Sequence, residues 1–231
     1  MPVSAAPIEA VVIDLDGTLV DTAADFTAAI NATFAPRKLG PLTRAQVIAC
    51  VGKGSEHLVR SALALALHGA PDEALVKDAL ADYMHIYGNL NGNHAEVYPG
   101  VAEGLEAMRA AGLRMACVTN KPAGFARPLL NKLGLGEYFE VVGGGDSLER
   151  RKPDPLPMLY TAEWFGLEPA AVLAIGDSEN DVQAARGAGM PVWLVPYGFN
   201  HGRPPESAGA DAIVETLLQA ATRLAALNSS A

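Results

Sequence analysis

Apolar residues fall along this chain in two alternating patterns. Short runs rich in β-branched side chains, Ala10 to Asp14, Leu113 to Thr119, Tyr138 to Val142, Ala171 to Asp177 and Pro191 to Val195, read as strands of a buried parallel sheet. Between them, helical spacing runs over Val101 to Ala111, Gly124 to Leu133, Pro155 to Phe165 and Asn180 to Ala188. Strand and helix in alternation predict an α/β fold, a doubly wound, mainly parallel, Rossmann-like sheet with helices on both faces.

The alternation stops between Asp21 and about Val97, where apolar residues keep helical spacing and no strand is evident. This predicts an inserted α-helical subdomain over 21–97, with residues 1–20 and 98–231 forming the α/β core. Asp21 or Thr22 is the expected N-cap of the first inserted helix, and Tyr98-Pro99-Gly100-Val101 the return to the sheet. A closing helix is expected over Ile213 to Leu227, with Asn228 to Ala231 frayed.

Half of the 231 residues are apolar and fewer than a fifth are charged, enough for a substantial core. No basic n-region precedes an apolar stretch, and no segment approaches the roughly 20 uninterrupted apolar residues of a membrane span, so a soluble cytoplasmic protein is expected. Two cysteines, Cys50 and Cys117, suggest packing residues in a reducing compartment rather than a disulfide framework. No pair among His57, His68, His85, His94 and His201 has zinc-ligand spacing on one helix, so any metal falls to carboxylates. The net charge of −9 argues against a nucleic-acid partner, and it requires that any anionic substrate be met by a local cation or helix N-terminus. Oligomeric state is left open.

Candidate chemistry gathers at strand ends. Asp14 and Asp16, in Asp14-Leu15-Asp16-Gly17-Thr18, are two apart at the end of the first run and can face one crevice, where open α/β sheets bind ligands. Two close carboxylates suit nucleophile and general-acid roles, whereas a bare Asp-x-Asp is more often an acidic turn. Thr119 alone reads as a strand-end hydroxyl and Lys152, in Arg151-Lys152-Pro153-Asp154-Pro155, as a surface charge. Asp177 alone reads as a helix cap, with Asp181 on the exposed face one turn on.

Together, Asp14 to Thr22, Thr119, Lys152 and Gly176-Asp177-Ser178-Glu179-Asn180-Asp181 resemble, in order, the four motifs of the haloacid-dehalogenase-like phosphatases. The resemblance implies that Asp14 attacks phosphorus, Asp16 acts as general acid and base, and Thr119, Asn120 and Lys152 bind the phosphoryl group. It further implies Mg²⁺ held by Asp14, Asp16 through its backbone carbonyl and Asp177, with Asp181 orienting ligands or water. An acid at Asp16 is absent from the dehalogenases and phosphonate hydrolases that share the motif. Val118-Thr119-Asn120-Lys121-Pro122, Gly143-Gly144-Gly145-Asp146-Ser147, Pro196 to Gly202 and Val51-Gly52-Lys53-Gly54-Ser55-Glu56 are similar to the phosphoglycolate phosphatase family.

In that family an α-helical cap closes over the crevice. Gly52-Lys53-Gly54-Ser55 is then expected to open a cap helix with Ser55 as N-cap and Lys53 beside it, receiving a substrate carboxylate; the same segment reads equally well as a flexible break with a solvated lysine. Alternatives are a phosphatase for a larger sugar phosphate such as N-acetylmuramic acid 6-phosphate, a sugar-phosphate mutase, and a phospho-accepting receiver domain. The adjacency of Asp14 and Asp16 and the helical insert count against the last.

Overall fold

The computed structural model describes residues 7–200 and 203–229. Residues 1–6, His201 and Gly202 of the loop similar to the phosphoglycolate phosphatases, and the last two residues of the tail expected to fray lie outside it. In chain order the strands are β1 (Ala10–Ile13), β2 (Val20–Asp21), β3 (Glu96–Val97), β4 (Arg114–Val118), β5 (Val141–Gly143), β6 (Val172–Gly176), β7 (Val192–Leu194) and β8 (Ala212–Ile213). β2 and β3 pair antiparallel with each other. The remaining six form one sheet in the order β5-β4-β1-β6-β7-β8, every neighbouring pair parallel. The chain steps outward in one direction from β1 to β5 and in the other from β6 to β8, so the crevice of a doubly wound sheet opens between the carboxyl ends of β1 and β6.

Register brings the chemistry to one level. Ile13 pairs with both Cys117 and Ile175, so the residues following β1, β4 and β6 emerge together at the same edge. Side chains along each strand alternate between faces. Val11, Ile13, Met115, Cys117, Leu173 and Ile175 pack with α5 (Val101–Ala110), α6 (Ala123–Lys132) and α9 (Leu217–Asn228). Ala10, Val12, Ala116, Val118, Val172 and Ala174 pack with α7 (Leu156–Phe165) and α8 (Glu179–Ala188) on the other face. With both faces covered, these strands carry no polar residue beyond Arg114 at the start of β4, which is why they read as nearly continuous apolar runs.

Between β2 and β3 lie α1 (Ala23–Phe34), α2 (Arg44–Ile48), α3 (Ser55–Leu67) and α4 (Glu73–Leu90). They bury a separate apolar cluster, around Ile30, Phe34, Val59, Leu63, Tyr83 and Tyr87, which Phe199 joins from the loop after β7. Asp25, fully buried in the first turn of α1, accepts the backbone N–H of Gly92 at 2.7 Å and of His94 at 2.8 Å, tying the start of the helical segment to its exit. No helix among the described residues is long and apolar enough to cross a membrane.

Two local expectations are corrected and a third is met. The run predicted as a strand from Tyr138 begins with a 3₁₀ turn at Gly136–Tyr138 and pairs only over Val141–Gly143. Ala212–Ile213, assigned in part to the closing helix, instead adds to β7, and α9 starts after Thr216, whose hydroxyl accepts the N–H of Gln219 at 3.1 Å. Thr22, one of the two residues expected there, is the N-cap of α1; it makes no side-chain capping bond, and Asp21 Oδ1 accepts the N–H of Ala23 at 3.0 Å.

Replacing Asp25 by Ala strands two N–H groups, one of them in a buried glycine, and should lower unfolding stability by about 2 kcal/mol. Chemical denaturation of Asp25→Ala beside the parent reads this directly; a change below a few tenths of a kcal/mol would show that the tie carries no weight.

Candidate active site

The turn after β1 is shaped by Gly17, which sits at φ +89 with its N–H donated to Val20 at 2.9 Å. A Cβ there would overlap the carboxylate of Asp177, so glycine lets the turns after β1 and β6 press together. Thr18 donates its hydroxyl to Asp177 Oδ1 at 3.2 Å, and the backbone N–H of Phe199 donates to Asp177 Oδ2. Asp177 thus stands buried beside Asp14, held by two separate segments.

Lys152 reaches into the same place from the loop before α7. Its ammonium donates to the Val118 carbonyl at 2.7 Å and to Asp181 Oδ1 at 2.6 Å, and lies 2.8 Å from Asp14 Oδ1 in a close charge contact not aligned as a hydrogen bond. Burial works to lower the Lys152 pKa, but the carboxylates of Asp14 and Asp181 outweigh it and hold the ammonium above its ordinary range. Asp181 is buried rather than on an exposed helix face. Its Oδ2 accepts the N–H and hydroxyl of Ser178 at 3.2 and 2.8 Å in a capping box at the start of α8.

Burial pushes the Asp14 carboxyl up to about 6; Lys152 opposes this, while Asp181 and Asp16 add to it. Burial likewise holds Asp177 well above the usual carboxylate range, reinforced by Asp181 and Asp14. Three carboxylates facing one lysine leave negative charge uncompensated. One oxygen from each of Asp14, Asp177 and Asp181 lies within 4.8 Å of the others, a hard all-oxygen donor set in which a divalent cation fits and relieves that charge.

Asp16, two residues beyond Asp14, is engaged separately. Its Oδ1 accepts the hydroxyl of Thr22 at 2.8 Å and the ammonium of Lys121 at 2.8 Å. Lys121, quoted in the sequence only within Val118 to Pro122, is a site residue that sequence reasoning missed. Its side chain is 2% exposed and lies over the rings of Phe26 and Tyr87 from α1 and α4. Thr119 lines the cavity, and its hydroxyl oxygen accepts the N–H of Lys121 at 3.2 Å, leaving its own proton free to donate.

Asp14, Asp16, Thr119, Lys121, Lys152, Asp177 and Asp181 all border one cavity with free volume of about 50 Å³, roofed by Phe26, Leu58, Tyr83 and Tyr87 of the helical segment. Gly52, Gly54 and Ser55 border it too. Lys53 does not; it is exposed, the solvated position that is the equal alternative for this segment. Ser55 is the first helical residue of α3 rather than its N-cap, a position taken by Gly54 at φ 88 with no side-chain capping bond. Asn120 borders the cavity as well. Both N–H groups of its side-chain amide are used, on the carbonyls of Gly52 at 2.8 Å and Lys152 at 2.7 Å, so the amide ties the helical segment to the sheet and a donor to phosphate from this residue falls to its backbone N–H. Asn180 adds a 3.2 Å bond to the same Gly52 carbonyl.

Residues 11–195 match the family model described as haloacid dehalogenase-like hydrolase. The chain is 48% identical over 217 residues to a protein of Thiobacillus denitrificans named phosphoglycolate phosphatase, covering 93% of this chain and 95% of that one. A protein of the same name from Nitrosospira multiformis is 46% identical over 214 residues, covering 93% and 94%. Among solved structures, a predicted phosphoglycolate phosphatase from Haemophilus somnus superposes with a TM-score of 0.90 at 32% identity, covering 95% of this chain and 99% of that one.

The raised Asp14 pKa carries a stability consequence for the metal-free protein. In the fold this carboxyl keeps its proton up to about pH 6, against a reference value of 3.8, so its ionisation opposes folding. The cost is absent below pH 4, grows as pH rises toward 6 and is complete above it, on the order of 2–3 kcal/mol. In a chelator, Asp14→Asn should therefore melt higher than the parent at pH 7.5, with the gain shrinking as pH falls from 6 to 4. A lower melting temperature at pH 7.5 would contradict this balance of burial against Lys152.

Proposed function

The chain belongs to the haloacid dehalogenase-like hydrolases, and on that footing we propose that it is a Mg²⁺-dependent phosphatase that hydrolyses 2-phosphoglycolate to glycolate and phosphate. The observation that carries the reading is the division between the two carboxylates of one turn. Asp14 rests on Lys152, Asp16 rests on Lys121 and Thr22, and both face one cavity. Paired carboxylates in different surroundings are what a nucleophile and a proton carrier require.

In this mechanism a carboxylate oxygen of Asp14 attacks phosphorus, the bond from phosphorus to the ester oxygen breaks, and an aspartyl-phosphate forms. Asp16 gives its proton to the departing alkoxide, then takes one from the water that attacks the same phosphorus and frees Asp14. Thr119 donates its hydroxyl to a phosphoryl oxygen. Lys152 offsets charge gathered on that group and on Asp14. Asp14, Asp177 and the backbone carbonyl of Asp16 would hold Mg²⁺, with Asp181 orienting the group from its bonds to Lys152 and Ser178. When bound, the ion supplies charge stabilisation to the phosphoryl oxygens.

Residues 21–97 act as a cap over the core formed by 1–20 and 98–231. The reading draws on Phe26, Tyr83 and Tyr87 closing the cavity and on the bonds from Asn120 and Asn180 to Gly52. The roof of Phe26, Leu58, Tyr83 and Tyr87, apolar but for two hydroxyls, supports a compact ester over a hydroxyl-rich sugar such as N-acetylmuramic acid 6-phosphate. Two free, buried cysteines fit a cytoplasmic location.

Phosphate release from 2-phosphoglycolate, sugar phosphates and nucleotides, with Mg²⁺ and with a chelator, tests the assignment. Phosphoglycolate should lead by kcat/KM and chelation should abolish turnover; a sugar phosphate in the lead would overturn the substrate, and turnover in chelator the metal. Asp14→Asn should fold yet lose turnover by on the order of 10⁴-fold or more. Substantial residual activity would end the covalent mechanism.

A further inference from the structure

We infer that Lys121 is the specificity-determining residue of this cavity, its ammonium receiving a carboxylate on the leaving group of the ester; the inference rests on the phosphatase reading above. Lys121 and Lys152 are both buried, and they stand on different carboxylates. Lys152 contacts Asp14, where the phosphoryl group is attacked, and Lys121 contacts Asp16, where the ester oxygen is protonated. In 2-phosphoglycolate the carboxyl carbon is two bonds from that oxygen. A lysine 2.8 Å from the group that must reach the ester oxygen is therefore placed to meet the next polar group along the substrate.

The surroundings of Lys121 leave it able to take such a partner. An ammonium carries three N–H donors. Among the described residues the Lys121 ammonium makes one hydrogen bond, to Asp16, and otherwise faces the rings of Phe26 at 4.5 Å and Tyr87 at 4.9 Å from their centroids. Ring faces hold a cation more weakly than a carboxylate does in an enclosed, poorly hydrated cavity. They also wall it against water and against larger groups.

A second donor points to the same ligand chemistry. The Tyr87 hydroxyl is buried and without a hydrogen-bond partner among the described residues, on a residue that is 1% exposed and borders the cavity. Buried hydroxyls are rarely left unpaired. Burial first, then the negative charge of Asp16, holds its pKa well above the ordinary tyrosine value, so it stays a donor. An acceptor brought by the substrate would satisfy it. Lys53, the cation first expected to serve the carboxylate, is exposed and outside the cavity.

The experiment compares 2-phosphoglycolate with 2-hydroxyethyl phosphate, the same ester with its carboxylate replaced by a hydroxymethyl group, in the Mg²⁺-loaded enzyme. The parent should prefer phosphoglycolate, and Lys121→Met should cut that preference in kcat/KM by on the order of 10²-fold, because a site built around a charged partner discriminates strongly against its absence. Tyr87→Phe, which removes one oxygen and no packing, should raise KM for phosphoglycolate severalfold more than for 2-hydroxyethyl phosphate, and it keeps the inference open to refutation if Lys121→Met does not fold. A parallel loss on both esters in Lys121→Met would mean that Lys121 only positions Asp16, and would overturn the inference. So would a parent that turns over both esters equally, although hydrolysis would stand. A parent that turns over neither ester, but does release phosphate from a sugar phosphate, overturns the phosphoglycolate assignment and the inference with it; one that turns over no ester overturns the phosphatase reading itself.

Discussion

Everything at this site depends on the ammonium group of Lys152. It is 3% exposed and joins the Val118 carbonyl at the end of β4, Asp14 after β1 and Asp181 in the first turn of α8. Without a cation there, three carboxylates could not be buried side by side, since each ionised group would face both the loss of water and the repulsion of its neighbours. With it, the repulsion is only partly relieved. The raised pKa values of Asp14 and Asp177 are the mark of that incompleteness, and they make the pocket receptive both to a divalent cation and to the charge redistribution of phosphoryl transfer. A better balanced cluster would give a more stable fold and a poorer site, the usual opposition between stability and function.

The sheet supplies the precision that such a cluster needs. Parallel pairing of β1 with both β4 and β6 fixes the exits of three strands relative to one another, and the covered faces on either side leave the strands little freedom to shift. Glycines then let the turns close. Gly17 admits the Asp177 carboxylate, and Gly176 lies where a Cβ would strike Asp181. The helical segment contributes walls rather than acids, and its loop is held to the sheet through one acceptor, the Gly52 carbonyl, which takes bonds from Asn120 after β4 and Asn180 in α8. Strand order therefore sets the acid cluster, while two side-chain amides set the distance of the roof above it.

Much of this was legible in the sequence because the signals are local. β1, β4, β6 and β7 lie within their predicted runs, since strands covered on both faces hold almost only apolar residues, and α5 to α8 follow their helical spacing closely. Asp14, Asp16, Thr119, Lys152, Asp177 and Asp181 could be named because together they resemble, in order, the four motifs of one family, although each alone reads as an ordinary turn, cap or surface charge. What escaped depends on partners remote in sequence. β2, β3 and β8 are two residues long and exist only through pairing, so no periodicity announces them. Ser55 looked like a cap because serine commonly is one, but Gly54 in the left-hand half of backbone space starts α3 one residue earlier. Lys121 has no local signal of its own, because its surroundings come from Phe26 and Tyr87, on helices encoded on either side of α2 and α3.

Lys121 also answers the difficulty raised by the net charge of −9, that an acidic protein must attract an anion. The surface charges lie mostly in solvent, where salt screens them over about 10 Å and paired arginines such as Arg37 and Arg60 cancel part of the field. The two cavity lysines are buried at 3% and 2% exposure, where the low local dielectric strengthens each interaction several-fold over the same contact in water. An entering phosphate ester thus meets a long-range field that is weak and unfavourable and a short-range one that is strong and favourable. Attraction that acts only after entry does little for the encounter rate but a great deal for discrimination, because a ligand gains from it only if its charges match the positions of both lysines. A small dianionic phosphate joined to a carboxylate meets that condition; a neutral alcohol ester meets half of it.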